Sequence, residues 1–221
     1  MHSNYMSRYV IYLLVTPMMF LAINGCKDDK ITKEENPTST VTDIEGNEYI
    51  TVTIGETEWM AENLKTTSYN DGSSIIFIGD DHCEWSSTNY PAYAWYNNEV
   101  ANNETFGGLY NWYAVNTGRL CPEGWRVATD EDWFELVSHV DPGAKDSILG
   151  IESFTAGGHL KYEGNEFWES PNLGATNIAG FSAFPGGYRN HTGGFSSLNR
   201  AGMWWTSDLE PRDTVYYPVY R

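Results

Sequence analysis

Residues 107–137, GGLYNWYAVNTGRLCPEGWRVATDEDWFELV, decide the fold. The stretch opens on two glycines and an aromatic run of Tyr110, Trp112 and Tyr113. Thr117-Gly118 breaks the chain, and Cys121-Pro122-Glu123-Gly124 makes a turn. Trp125-Arg126-Val127 reads as a short extended piece, and Thr129 starts a helix expected over residues 130–139. The Thr129 hydroxyl can cap the free N–H groups of the first turn, and Asp130, Glu131 and Asp132 suit the positive end of the helix dipole. Trp133, Leu136, Val137 and Val140 recur at spacings of three and four, which gives one apolar stripe. Such a helix needs a core to pack on, so the stretch reads as a buried hub. It contains no obvious catalytic group.

Upstream, Val41–Ile44 and Tyr49–Ile54 flank Glu45-Gly46-Asn47, a hairpin turn, and Gly55-Glu56 turns into Trp59-Met60. Residues 41–64 therefore predict a β meander. Residues 65–91 predict a long loop with one strand at Ile75–Ile78, and Ala92–Tyr96 a short apolar strand. Downstream, a second, shorter helix is expected at Gly158–Tyr162, followed by strands at Phe181–Arg189, Gly202–Ser207 and Thr214–Tyr220. Gly186-Gly187 marks a bulge or bend in the first of these strands, or a backbone held close to a ligand. The balance is α+β, dominated by strand and loop, with one main and one short helix.

The 221 residues suit one domain plus an export segment. Hydrophobic residues make up 41% and aromatic residues 15%, so much of the core must be Trp, Tyr and Phe. A net charge of −17 excludes tracking along a nucleic-acid backbone, which needs Lys and Arg, and so excludes a nucleic-acid partner. It also opposes docking of the domain surface on anionic lipid.

Arg8 precedes an apolar run from Tyr9 to Ile23, too short for a comfortable membrane span and shaped like a signal peptide. The run ends Ile23-Asn24-Gly25-Cys26, which resembles a bacterial lipobox, with residues 1–25 removed and lipid placed on Cys26. Lys27-Asp28-Asp29 resembles the export signal that carries Bacteroidota lipoproteins to the outer face of the outer membrane. Residues 26–40 then form the lipidated Cys and a charged, Pro/Ser/Thr-rich tether. A lipid anchor in the outer membrane is thus the first expected partner.

GLYNWYAVNTGRLCPEGWRVATDEDW resembles the Fibrobacter succinogenes major paralogous domain, a family known from surface proteins and lipoproteins. So do VTDIEGNEYITVTIGETEWMAENLKTTSYNDG, PAYAWYNNE, GFSAFPGGYR and MWWTSD, in the family's order, and the resemblance covers residues 41–221. GWRVATDEDW is also similar to the strand-turn-helix of the formylglycine-generating-enzyme branch of the C-type-lectin-like fold. The resemblance implies a loop-rich C-type-lectin-like domain with antiparallel sheets. Family members also carry a closing strand ending in Cys, the usual partner of Cys121, which the sequence to Arg221 does not contain. The resemblance thus implies a domain lacking its closing C-terminal strand, as a truncated or as a natural short form. Ala94 stands where family members carry another Cys. A Cys83–Cys121 bond is therefore not the expected pairing, though an exported domain with two such residues could form one.

Candidate chemistry is sparse. Asp80, Asp81 and Glu84, with His82 between them, are the candidate Ca²⁺ ligands. Their lack of EF-hand spacing favours the plainer reading, a solvated acidic loop, and no other cofactor is expected. Asp43, Glu45 and Asn47 surround Gly46, where a hairpin turn needs such residues anyway. No base stands next to a nucleophile, and no G-x-S-x-G, H-E-x-x-H or phosphate-cradling loop occurs. Formylglycine-generating enzymes use a late Cys pair, and no Cys follows Cys121. Aromatic rings flanked by amides and carboxylates suit sugars. Trp85 and Trp168, in polar loops, and Trp204-Trp205 are the candidate ligand-binding residues, whereas Trp95, Trp112, Trp125 and Trp133 are expected in the core.

The expectation is a non-catalytic, surface-exposed lipoprotein domain that binds glycan or a surface protein. A structural display module of the envelope is the alternative, and a formylglycine-generating type of catalyst comes third. Asp146-Ser147-Ile148 and Asp213-Thr214-Val215 resemble the Asp-Ser/Thr-aliphatic pattern of Bacteroidota O-glycosylation. Ser147, expected in a loop after the hub helix, is the favoured site over Thr214, which opens a strand.

Overall fold

The computed structural model describes residues 38–147, 150–212 and 215–220. The signal peptide, Cys26, Lys27, Asp28, Asp29 and Thr214 all lie outside the described residues.

Strands β1 (Thr38–Thr42), β2 (Glu48–Ile54) and β3 (Thr57–Met60) form an antiparallel meander in the order β1-β2-β3, as expected. Strand β1, however, starts at Thr38, inside the stretch expected to be tether, and ends before Ile44, because its pairing with β2 runs from Thr38 opposite Val52 to Thr42 opposite Glu48. Asp43 makes the first turn. Its Oδ1 accepts from the Glu45 and Asn47 N–H groups at 2.9 Å, and its Oδ2 from the Asn47 amide at 2.8 Å and the Tyr49 hydroxyl at 2.7 Å. The carboxylate that sequence reading left to a generic turn is thus 8% exposed and anchors a fully buried tyrosine.

Strand β4 (Ile76–Phe77) pairs parallel with β5 (Ala92–Ala94), which pairs antiparallel with β6 (Leu109–Tyr110). The connections hold helices that sequence reading did not anticipate: α1 (His82–Ser87), α2 (Val100–Phe106) and α3 (Trp112–Val115). The strand expected through Tyr96 stops at Ala94, because Asn97 and Asn98 adopt left-handed backbone in a 3-10 turn, which Asn tolerates better than most residues.

The hub helix is α4 (Asp130–Val140). The Thr129 hydroxyl accepts from the Asp132 N–H at 3.1 Å, and the Asp132 carboxylate accepts back from the Thr129 N–H at 2.6 Å. This reciprocal pair is a capping box with Asp in the usual Glu position. Replacing Thr129 by alanine is expected to cost about 1 kcal/mol, read as a lower denaturation midpoint. An unchanged midpoint would show that the Asp132 carboxylate caps the helix alone.

Beyond α4 come the hairpin of β7 (Lys145–Ser147) and β8 (Gly150–Glu152), then α5 (Ala156–Leu160). Helix α5 begins two residues before its expected start, with the Ser153 hydroxyl accepting from the Ala156 N–H at 2.9 Å. Residues 181–189 do not make one strand. Positive φ at Ser182 and Gly187 interrupts the run, and only β9 (Tyr188–Arg189) remains, paired with β10 (Phe195–Ser196). Strands β11 (Trp205–Arg212) and β12 (Val215–Tyr220) form a final antiparallel hairpin. The architecture is mixed α and β, built of small and mostly antiparallel sheets, with five short α-helices among the described residues where two were expected.

One core joins the meander, α4, β8, α5 and Phe181 around Trp59 and Trp133, whose ring centroids lie 5.2 Å apart. A second gathers Tyr69, Ile75, Tyr93 and Leu120 beneath Trp95, Trp112 and Trp205. A third sets Trp85 on Ile78 and β5. No described helix is long and apolar enough to cross a membrane.

Candidate functional site

A cleft of about 1390 Å³ runs between the cores. Met60 with Glu62 to Leu64 form one wall, Gly124 to Ala128 with Trp133 a second, and segments 181–184, 186–191 and 202–205 the third. Asn63 ties these walls together. Its amide donates to the Phe106 carbonyl at 2.8 Å, while its Oδ1 accepts from the Trp204 indole N–H at 3.0 Å. The Trp205 indole donates to the Tyr110 carbonyl at 2.8 Å, and its ring lies 5.6 Å from that of Trp112. The hub thus positions Trp205, and Asn63 positions the neighbouring Trp204, both from the far end of the chain.

Trp204 and Trp205, two of the candidate ligand-binding residues, are half-buried on the cleft wall. Trp125, expected in the core, is also half-buried on the cleft wall. Trp85, expected in an open loop, is only 9% exposed. Its indole N–H donates to the Asn190 carbonyl at 3.0 Å and the Arg189 guanidinium covers its ring at 4.2 Å, so it packs beneath Arg189 while its edge lines the cleft. Trp168 lies away from the cleft, with its N–H on the Ala183 carbonyl at 3.0 Å and Lys161 Nζ 4.9 Å from its ring.

Arg189 carries more of the local structure than any candidate drawn from sequence. Its Nη2 donates to the Gly79 carbonyl at 2.8 Å and its Nε to the Gly193 carbonyl at 3.0 Å, with a further bond from Nη1 to the Ile78 carbonyl. Gly187 allows the approach of this segment: its φ is +64°, and a Cβ there would sit 2.6 Å from the Ser196 carbonyl oxygen. The glycine pair thus serves close backbone packing.

The carboxylates proposed for Ca²⁺ do not converge. Asp80 accepts from the Asn98 amide, Asp81 caps α1 through the Glu84 N–H at 2.8 Å, and Glu84 accepts from the Tyr90 hydroxyl at 2.6 Å. The loop reading gave no hint of α1, whose cap and first turn consume these groups. No cluster of His, Cys, Asp or Glu suited to a metal ion occurs among the described residues.

Arg126 and Asp132 form a two-pronged ion pair on the cleft wall, with Nη2 to Oδ1 at 2.9 Å. The guanidinium holds the Asp132 carboxyl down at about 2, aided by the Thr129 N–H and hydroxyl. Burial pushes the Cys121 thiol, also on the cleft wall, up to about 11. It stays protonated at neutral pH and is a poor nucleophile. Cys83 and Cys121 are both free, the first exposed on α1. Ser147 is not in a loop. It ends β7 half-buried, with its hydroxyl 3.1 Å from the Gly150 carbonyl and 2.9 Å from Glu152 Oε1, so a glycan there would compete with the hairpin.

No curated protein and no solved structure matches the chain. The profile of the Fibrobacter succinogenes major domain matches residues 52–217, which take in the meander from β2 onward, the hub, the cleft and most of the final hairpin. The chain belongs to the Fibrobacter succinogenes major domain family.

Proposed function

We propose that this chain is a non-catalytic binding domain, displayed on the cell surface by a lipid on Cys26, whose cleft holds a glycan. The supporting observation is the half-buried trio Trp125, Trp204 and Trp205 beside Asn63 and Glu62 in one open cleft. Ring faces stack on the C–H faces of sugars, and the neighbouring amide and carboxylate can meet hydroxyls. The Trp125 indole N–H has no protein partner among the described residues, which leaves a donor facing solvent. The protonated Cys121, and the lack of a bond between it and Cys83 among the described residues, speak against chemistry of the formylglycine-generating type. The C-type-lectin-like fold is part of the same proposal, supported by loop-rich walls around α4, the longest of the five described α-helices.

Glycan-array binding of the full chain in detergent tests the reading. Trp125→Ala is expected to weaken the best signal at least ten-fold while melting close to wild type. Absence of any glycan signal would favour a display module without a small-molecule site. The address has its own test. Cys26→Ala is expected to lose palmitate label, and alanines at Lys27-Asp28-Asp29 to keep the label but lose sensitivity to added protease. Undiminished label in Cys26→Ala would remove the anchor.

A further inference from the structure

We infer that the cleft selects uncharged glycans and turns away acidic ones, uronates and sulfated sugars alike; the inference rests on the glycan reading above. Recognition of a carboxylated or sulfated sugar needs a cation with free N–H groups, and a guanidinium fork serves best. The described cleft wall holds two arginines and no lysine. Arg126 already spends its fork on both oxygens of Asp132. Arg189 spends its N–H groups on the carbonyls of Ile78, Gly79 and Gly193. Its flat faces are also taken, with Trp85 at 4.2 Å and Phe195 at 4.8 Å. Arg189 cannot turn to an incoming anion without breaking these bonds, and Arg126, although its side chain is 64% exposed, meets an anion with the Asp132 charge already beside it. His191, exposed at the rim, has no fork to offer.

The fixed charges on the same walls point the same way. Glu58 and Glu62 line the cleft, while the Asp132 charge is balanced by Arg126. Glu62 Oε2 accepts from the Ile50 N–H at 2.6 Å, and its other oxygen can take a sugar hydroxyl but would repel a carboxylate. The net charge of −17 adds a long-range field of the same sign. A neutral pyranose meets none of this opposition. It presents C–H faces to the tryptophans and hydroxyl donors to acceptors that are already ionised.

Titration of the full chain in detergent with β-glucan oligosaccharides and with oligogalacturonates of equal length separates the two classes. The neutral ligand is expected to bind at least ten-fold more tightly, with the gap widening as salt is lowered. Asp132→Asn frees the Arg126 fork and should raise the acidic-to-neutral affinity ratio about ten-fold. Glu62→Gln should raise the ratio less, and serves if the capping change at Asp132 unfolds the protein. Equal or tighter binding of the acidic ligand, or a ratio unmoved in both variants, overturns the selectivity while leaving glycan binding in place. Binding of neither class here or on the array overturns the glycan reading and this inference with it.

Discussion

Truncation of Trp133 to alanine is expected to destabilise the protein by about 3–5 kcal/mol, the range for deleting a large buried aromatic side chain. Trp133 is 7% exposed and is the ring on which three others meet. Trp59 lies 5.2 Å away between centroids, Phe181 5.9 Å and Trp204 5.9 Å. These neighbours come from β3, the 181–189 segment and the stretch leading into β11, so little backbone freedom exists to close the hole. Denaturant unfolding followed by tryptophan fluorescence gives the measurement. Trp133→Phe should recover part of the loss. A Trp133→Ala protein that unfolds with wild type would show that the apolar stripe of α4 does not support the core.

Loss of the Asp43 carboxylate should be the next most damaging change, at about 3 kcal/mol. Hydrogen bonds to a charged group are worth roughly 1.5–3 kcal/mol net, and a buried hydroxyl left without its acceptor adds to the loss. Asp43→Ala removes the acceptor of the Tyr49 hydroxyl, whose residue is 0% exposed, and opens the first turn of the meander. The same carboxylate makes stability depend on acid. Burial alone would raise its pKa, but hydrogen bonds from the Asn47 amide, the Tyr49 hydroxyl and the N–H groups of Asn47 and Glu45 outweigh it and hold the value below the ordinary one. Asp132 behaves likewise, at about 2, through Arg126. The stability these groups contribute is complete above the unfolded carboxylate value near 4 and drains away as pH falls toward the lower folded values. Wild type is therefore expected to lose denaturant resistance between about pH 4 and pH 2, and Asp43→Asn to show a shallower fall over that window. Parallel curves for the two proteins would remove Asp43 as a source of the acid sensitivity.

The elements that sequence reading located carry their signals within a few residues. Thr129, three acids and a stripe of four apolar residues announce α4, and Glu45-Gly46-Asn47 between alternating runs announces the meander. The missed helices lack such signals. Helix α2 has no side-chain cap and buries Asn103 beside Phe106, a polar residue where periodicity asks for an apolar one. Helix α1 hides its cap in a run of charges, and only the spacing of Asp81, Glu84 and Trp85 could have betrayed it. The cleft was legible in one part, Trp204-Trp205. The rest depends on residues whose type says nothing of their role. Asn63 looks like any loop asparagine until Phe106 and Trp204 arrive beside it, and Arg189 like any surface arginine until Trp85 lies under it. Trp125 and Trp85 exchanged their expected environments because local polarity does not report which face the rest of the chain covers.

The bonds that seat Trp204 and Trp205 also govern when the molecule can form. Trp204 reaches back 141 residues to Asn63, Trp205 reaches 95 to Tyr110, and Arg189 reaches 111 to Ile78. Local pairing of the meander can begin early, but neither main core is closed until the last fifth of the chain is available. Closure over such long loops slows folding, because the entropy is lost before the contacts that repay it exist. A growing chain would pass through most of its synthesis with Trp59 and Trp133 lacking Phe181, and Trp133 lacking Trp204 as well. Full closure of both main cores therefore waits for the last fifth of the chain, whatever the meander has already paired.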